Sequence, residues 1–249
     1  MVTQHCSKAL QSVTTGGSNV VVGNQAGDTI TDGGENVIVG DGAGQTTTSV
    51  AQAVIVGRGA AQNGNITTGA NGAVAVGYKA LEALTTGSNN TAVGFETLKV
   101  EDVGQYSTAV GYQALTAQTA DHSATDAGNT AVGFKAGTAV NTGYYNTLIG
   151  RTAGFAITTG AGNTVMGSEA GKAIVGGDDN TIIGKQAGIA TTAGTNMVII
   201  GKGASSGVIT TAAAGHISIG YEALKDTTSG ARNTGVGYRS GKEITSSND

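Results

Sequence analysis

The chain has 249 residues, of which 43 are glycine, none is proline or tryptophan, and 12 % are charged. That composition excludes collagen, which needs proline, and departs from average globular usage; recurrent Val and Ile clusters with little charge argue against disorder. The net charge of −4 is spread along the chain, with no basic stripe for nucleic acid and no polybasic patch for a membrane surface.

Cys6 is the only cysteine, so the sequence holds neither a disulfide framework nor a CxxC metal pair. The segment from Met1 to Gln11 lacks a basic stretch followed by an apolar run, and no window approaches the length of a membrane span. Assembly in a reducing cytoplasm is the expectation, with no membrane partner.

One unit recurs from end to end. A glycine that follows a Val/Ile-rich triplet stands at positions 23, 40, 57, 77, 94, 111, 133, 150, 167, 184, 201, 220 and 237. Nine of the twelve intervals between these anchors are 17 residues, and the others are 20, 22 and 19. The residue before the anchor is Val or Ile except at Met166, and the third residue after it is Ala in eleven copies. Asn stands four before the anchor in eight copies: Asn19, Asn36, Asn90, Asn129, Asn146, Asn163, Asn180 and Asn233. The register continues into degenerate half-repeats at 1–16 and 238–249, so a single repetitive domain spanning 1–249 is expected.

Each unit has only four or five glycine-free residues before its anchor, and these are rich in β-branched types, which rules out helices and predicts short strands. The anchor glycine turns the chain. The Thr-Thr-Gly stretch is expected to form a second short strand, and stacked Asn side chains to hydrogen-bond from coil to coil. The fold class is therefore all-β, a parallel β-solenoid of thirteen to fourteen coils. At a strand spacing of ~4.8 Å it would be a rod of roughly 60 to 65 Å.

Residues one and two before the anchor are both apolar and point to opposite faces. One face fills the coil; the other is expected to be buried against further chains, most simply in a threefold bundle of parallel rods. The residues expected at the interface are the second-before-anchor Ile38, Ile55, Leu148, Ile182 and Ile199, with the aromatics that directly follow an anchor, Tyr78, Phe95, Tyr112, Phe134, Tyr221 and Tyr238. Those aromatics are read as an interprotomer packing ladder, the alternative being a stacking platform for sugar rings.

The segments Asn90-Thr91-Ala92-Val93-Gly94-Phe95, Ser107-Thr108-Ala109-Val110-Gly111-Tyr112-Gln113-Ala114-Leu115 and Asn129-Thr130-Ala131-Val132-Gly133-Phe134-Lys135-Ala136-Gly137 resemble the repeats of phage tail-fibre shafts. More loosely, they resemble the head repeats of trimeric autotransporter adhesins, which form trimeric β-rolls. The resemblance covers nearly the whole chain and implies a homotrimeric, elongated, adhesive or structural fibre. It implies a place in a virion, on a tail or head appendage, with other appendage proteins at the open solenoid ends and a host surface glycan or protein as a further partner. A bacterial adhesin head is the alternative. Tail fibres commonly add an attachment region and a tip, and autotransporters a membrane anchor; neither is recognisable in this sequence.

No catalytic, metal or cofactor site is predicted. The hexapeptide acyltransferases, also trimeric solenoids, carry an apolar residue every six positions, whereas Lys99 follows Val93 and Thr138 follows Val132 at that interval, and His5, His122 and His216 fall at unrelated repeat positions. Asp28, Asp32, Asp178 and Asp179 do not recur in register as a calcium-binding roll requires, and are read as solvated loop carboxylates. No convincing pair of carboxylates suggests glycoside hydrolysis. Ice binding by Thr67-Thr68, Thr85-Thr86, Thr158-Thr159 and Thr191-Thr192 is a minor alternative, interrupted at Glu101-Asp102-Val103. The long intervals contribute loops, and Asp121, His122, Ser123 and Asp126 in the longest are the candidate receptor or partner contacts, with 62–68 and 206–214 beside them.

Overall fold

A computed structural model describes residues 7–119, 126–209, 214–228 and 231–243. The chain groups into two compact units, Met1–Gly128 and Asn129–Asp249, each a parallel β-solenoid. In the first, strands β1 (Val20–Val22), β2 (Val37–Val39), β3 (Val54–Val56), β4 (Val74–Val76), β5 (Thr91–Val93) and β6 (Thr108–Val110) pair in sequence order. The second pairs β7 (Thr130–Val132), β8 (Thr147–Ile149), β9 (Thr164–Met166), β10 (Thr181–Ile183), β11 (Val198–Ile200), β12 (Ile217–Ile219) and β13 (Thr234–Val236) in the same way. Equivalent residues face one another, as in Ile182 opposite Ile199.

The anchor glycine is compulsory on two counts. Its φ lies between 124° and 140° in every copy, a region closed to other residues. A Cβ on Gly184 would also stand 2.7 Å from the carbonyl oxygen of Gly201 in the next coil. The turn that follows puts the residue three after the anchor inside, where Ala26, Ala43, Ala114 and Ala187 are wholly buried.

The strands alternate as a period of two requires, but the inward residue is the one two before the anchor. Ile38, Leu148, Ile182 and Ile199 are 0 % exposed and Ile55 1 %, all within their own coils. These five residues, expected to pack between protomers, belong to the core of the single chain and are not accessible to a second one.

Within the coil their size is matched to the residue four after the anchor. Ile38 is coupled to Gly44, Leu148 to Gly154, Val165 to Gly171 and Ile182 to Gly188; Ala75 is coupled to Leu81, Ala92 to Leu98 and Ala109 to Leu115. A Cβ on Gly154 would lie 2.7 Å from Leu148 Cδ2 and 2.9 Å from Ile157 Cδ1, so the two positions share one fixed volume. At Ala131 with Gly137, and at Gly235 with Gly241, both are small. The Gly235 space is filled from the preceding coil, where Leu224 Cγ stands 2.7 Å from the place of a Cβ.

The asparagine ladder forms as expected. Asn146 and Asn163 each donate from Nδ2 to the preceding rung's Oδ1, at 3.1 and 3.0 Å, and to a carbonyl of the following coil, Gly160 or Gly177, at 2.8 Å. Each Oδ1 also accepts the backbone N–H of the next rung, as Asn163 Oδ1 does from Asn180 at 3.1 Å. Where Asn is absent the acceptor role persists: Ala53 N donates to Asn36 Oδ1 at 2.9 Å and Met197 N to Asn180 Oδ1 at 3.0 Å.

The Thr-Thr-Gly stretch does not form the second strand expected of it. Among the described residues it is a bend that gives the neighbouring coil one to three backbone bonds, reinforced by threonine hydroxyls, as when Thr85 Oγ1 donates to Asp102 O at 2.9 Å. The glycine seven before the anchor leaves too little extended chain there for a ladder. The 20-residue interval is absorbed by one 3-10 turn, Thr68–Ala70, with Ile66 and Ala70 turned into the core.

Two outcomes test this packing. Ala75→Leu alone is expected to cost about 1–3 kcal/mol by overpacking and Leu81→Gly about 2–5 kcal/mol. Guanidinium denaturation of the double variant should show much less than their sum, because it recreates the Leu148 and Gly154 arrangement. Asn163→Ala strands the buried Gly177 O and Asn180 N–H of the following coil, takes one donor from Asn146 Oδ1 of the preceding one, and should lower stability by about 1–3 kcal/mol in the same assay.

Candidate interaction surfaces

With the second-before-anchor residues inside, the first- and third-before-anchor residues face outward. The first-before-anchor column is Val22, Val39, Val56, Val76, Val93 and Val110 in one unit, and Val132, Ile149, Met166, Ile183, Ile200, Ile219 and Val236 in the other. None is buried, and Met166 and Val132, inside the second unit, are 40 % and 37 % exposed. Beside this column stand Val20, Val37, Val54 and Val74, then threonines from Thr91 to Thr181, then Val198, Ile217 and Thr234, so each unit presents a flat face of β-branched side chains.

The six aromatics line up next to that face. Tyr78, Phe95 and Tyr112 stack at 5.0 and 5.1 Å between centroids, and Tyr221 and Tyr238 at 5.3 Å. Cations cover several rings: Lys79 lies 5.7 Å from the Tyr78 centroid, Lys135 5.5 Å from Phe134 and Lys202 5.7 Å from Tyr221. All six occur in coils whose second-before-anchor residue is small, and the other seven coils carry Asn, Asp, Ser, Arg or Lys in the aromatic slot. The solenoid is thus built from two coil types, one with a large residue two before the anchor and a polar one after it, the other with a small residue two before the anchor and an aromatic after it.

Charged side chains on the turn after the anchor neutralise one another. Lys79 pairs with Glu82 at 2.9 Å, Lys99 with Glu96 at 2.8 Å, and Arg151 with Glu169. The hydrogen bond from Lys99, then that from Gln113, holds the Glu96 carboxyl below its ordinary range; Gln186, then Arg151, do so for Glu169. Such exposed pairs contribute little to stability.

Glu101, read from the sequence as a break in a threonine face, is turned into the coil and wholly buried. Its carboxylate accepts from Gly104 N at 2.6 Å and from Gln118 Nε2 at 2.6 Å, and the same Nε2 reaches Ser107 Oγ at 2.9 Å. This network occupies the coils where Ser107 replaces the ladder asparagine. Among the described residues no three His, Cys, Asp or Glu side chains come together as a metal site, and no helix is long and apolar enough to cross a membrane.

Asp121, His122 and Ser123 of the expected contact loop lie outside the described residues, as do 210–213 of the third long interval; Asp126 is exposed. A different cleft, of about 350 Å³, opens in the second unit between Tyr144 and Tyr145 on one side and Asp178 and Asp179 on the other, with Ala161 and Gly162 as its floor. The sequence held a signal for it that went unread: an adjacent tyrosine pair outside the aromatic slot of the repeat. Comparisons with protein-family models, curated proteins and solved structures gave no match.

His216 takes a ladder position in place of asparagine and is wholly buried. Its Nδ1 lies 3.4 Å from Asn233 O, while Nε2 has no hydrogen-bond partner. Burial lowers its pKa below the ordinary imidazole value of about 6.5, so the folded chain resists a proton that the unfolded chain accepts. The stability tied to the neutral ring is complete above about 6.5 and drains as pH falls below it. Urea midpoints measured from pH 7.5 to 5 should fall for the native chain, and His216→Asn should flatten that slope.

Proposed function

We propose that this chain is a structural, adhesive shaft segment of a homotrimeric fibre in a virion appendage, without catalytic activity of its own. The observation that carries the reading is the outward column of Val, Ile and Met, unbroken within each unit and flanked by β-branched residues and stacked aromatics. A flat apolar face of that extent is uncommon on a lone soluble chain and is covered by association. Parallel rods of identical chains close most simply around a threefold axis, each presenting the same face. The likeness of the Asn-Thr-Ala-Val-Gly repeats to phage tail-fibre shafts directs the choice of a virion over a bacterial surface. The aromatic ladders with their covering cations are assigned to packing between protomers at the edge of that face, and other appendage proteins to the ends of the rod.

Light scattering on the purified chain should give three times the chain mass of 24.3 kDa. Val93→Lys with Ile183→Lys, both outward, should dissociate the assembly while the far-ultraviolet circular dichroism of a β-protein persists. A monomeric native chain would sink the proposal.

A further inference from the structure

The cleft beside Tyr144 and Tyr145 does not depend on the shaft reading and asks for a ligand of its own. The residues six and five before the anchor stack along the second unit as three rungs: Tyr144-Tyr145, Ala161-Gly162, then Asp178-Asp179. Backbone hydrogen bonds lock them in register, Gly162 N to Tyr144 O at 3.0 Å and Asp179 N to Ala161 O at 2.9 Å. A rung of small residues separates the aromatic rung from the acidic one, whose backbones lie two coil spacings, roughly 10 Å, apart, and Asp179 Oδ1 leans over that rung into the space a Cβ on Gly162 would take. The cleft of about 350 Å³ is large enough for a single pyranose ring.

Both walls are exposed and prearranged. Tyr144 and Tyr145 are 46 % and 57 % exposed, with rings 5.2 Å apart and 85° to one another, so one offers a face and the other an edge. Tyr145 has φ at 55°, the left-handed conformation that this repeat position takes in the other coils too, with Glu35, Tyr106 and Arg232 among its occupants. Among the described residues no Lys or Arg covers either ring, in contrast to Tyr78, Phe134, Tyr221 and Tyr238. Opposite, Asp178 uses Oδ1 to accept Ala161 N–H at 2.8 Å, which fixes its carboxylate beside the slot.

Two carboxylates with no cation in the lining favour a positive ligand, and two tyrosines favour one with an apolar face that also stacks. The neighbouring cleft of about 420 Å³ at Lys202, Tyr221, Glu222 and Lys225 has the opposite balance, since Lys225 pairs with Glu222 and Lys202 lies over Tyr221. The geometry points to the Tyr144, Tyr145, Asp178 and Asp179 slot as a binding site for an amino sugar with a free ammonium group. The C–H face of the ring lies on tyrosine, and the ammonium and hydroxyls donate to the aspartates.

The test is calorimetric titration of the full chain, as assembled, with an unacetylated glucosamine tetramer at pH 6, using the N-acetylated tetramer and a glucose tetramer as comparisons. The glucosamine tetramer should bind at least about tenfold more tightly than either, and more weakly as salt rises. Tyr145→Gly suits the left-handed backbone, so its unfolding midpoint should not fall, yet its affinity should drop at least about tenfold. Asp179→Asn should do the same. Equal binding of the N-acetylated tetramer, unaltered affinity in Tyr145→Gly, or no binding by the native chain overturns the assignment. Binding of choline or of a lysine peptide in preference to the glucosamine tetramer would replace the sugar with another cation. The mass of the assembly is read independently and is unaffected by any of these results.

Discussion

Successive coils touch backbone to backbone at the anchor glycines, and that contact imposes the regularity of everything else. Because no side chain can be interposed there, each coil must return to the same point one strand spacing further on. Every other position of the repeat is then stacked on its own equivalent. Asparagine answers this constraint well, since its amide can accept from one neighbour and donate to the other indefinitely. Alanine after the anchor answers it by occupying almost nothing. Polar exceptions such as Glu101 with Gln118 survive because a partner in an adjoining coil supplies the missing bonds.

The fold was legible because its spacing is nearly constant: anchors, strands, ladder and parallel register all follow from a period counted in the sequence. Which side of the strand faces inward was not read correctly, and the reason is instructive. Alternation says that Val93 and Ala92 oppose each other, not which is enclosed. The deciding signal was the inverse variation in size of the residues two before and four after the anchor, Ile182 with Gly188 and Ala92 with Leu98. Such compensation is required only of groups that share a closed space. The bend at Thr-Thr-Gly was mistaken for a strand because threonine suits strands, while glycine seven before the anchor cuts the extended run short.

The candidate sites were less legible than the fold. A repeat makes departures conspicuous, and length, as in the long intervals, is the most conspicuous departure of all. Tyr144-Tyr145 departs in side chain with no change in length. Asp178 and Asp179 were set aside because they do not recur, although a single site on a repetitive scaffold is defined by residues that do not recur. The two elements of the cleft lie 34 positions apart in sequence, two turns, and only the stacking of coils brings them to one slot.

The existence of two coil types has a consequence for how such a chain can lengthen or shorten over generations. Duplication of one whole coil preserves the anchor contact and the ladder, so a crossover between misaligned copies yields a protein that still closes on itself. The copy's bulk, however, must meet flanking coils of compatible volume, and runs of like coils, Tyr78 to Tyr112 or Leu148 to Ile199, are where an added copy finds neighbours of its own kind. Growth of the gene is thereby channelled into the interior of such runs, while the junctions between them stay fixed as landmarks.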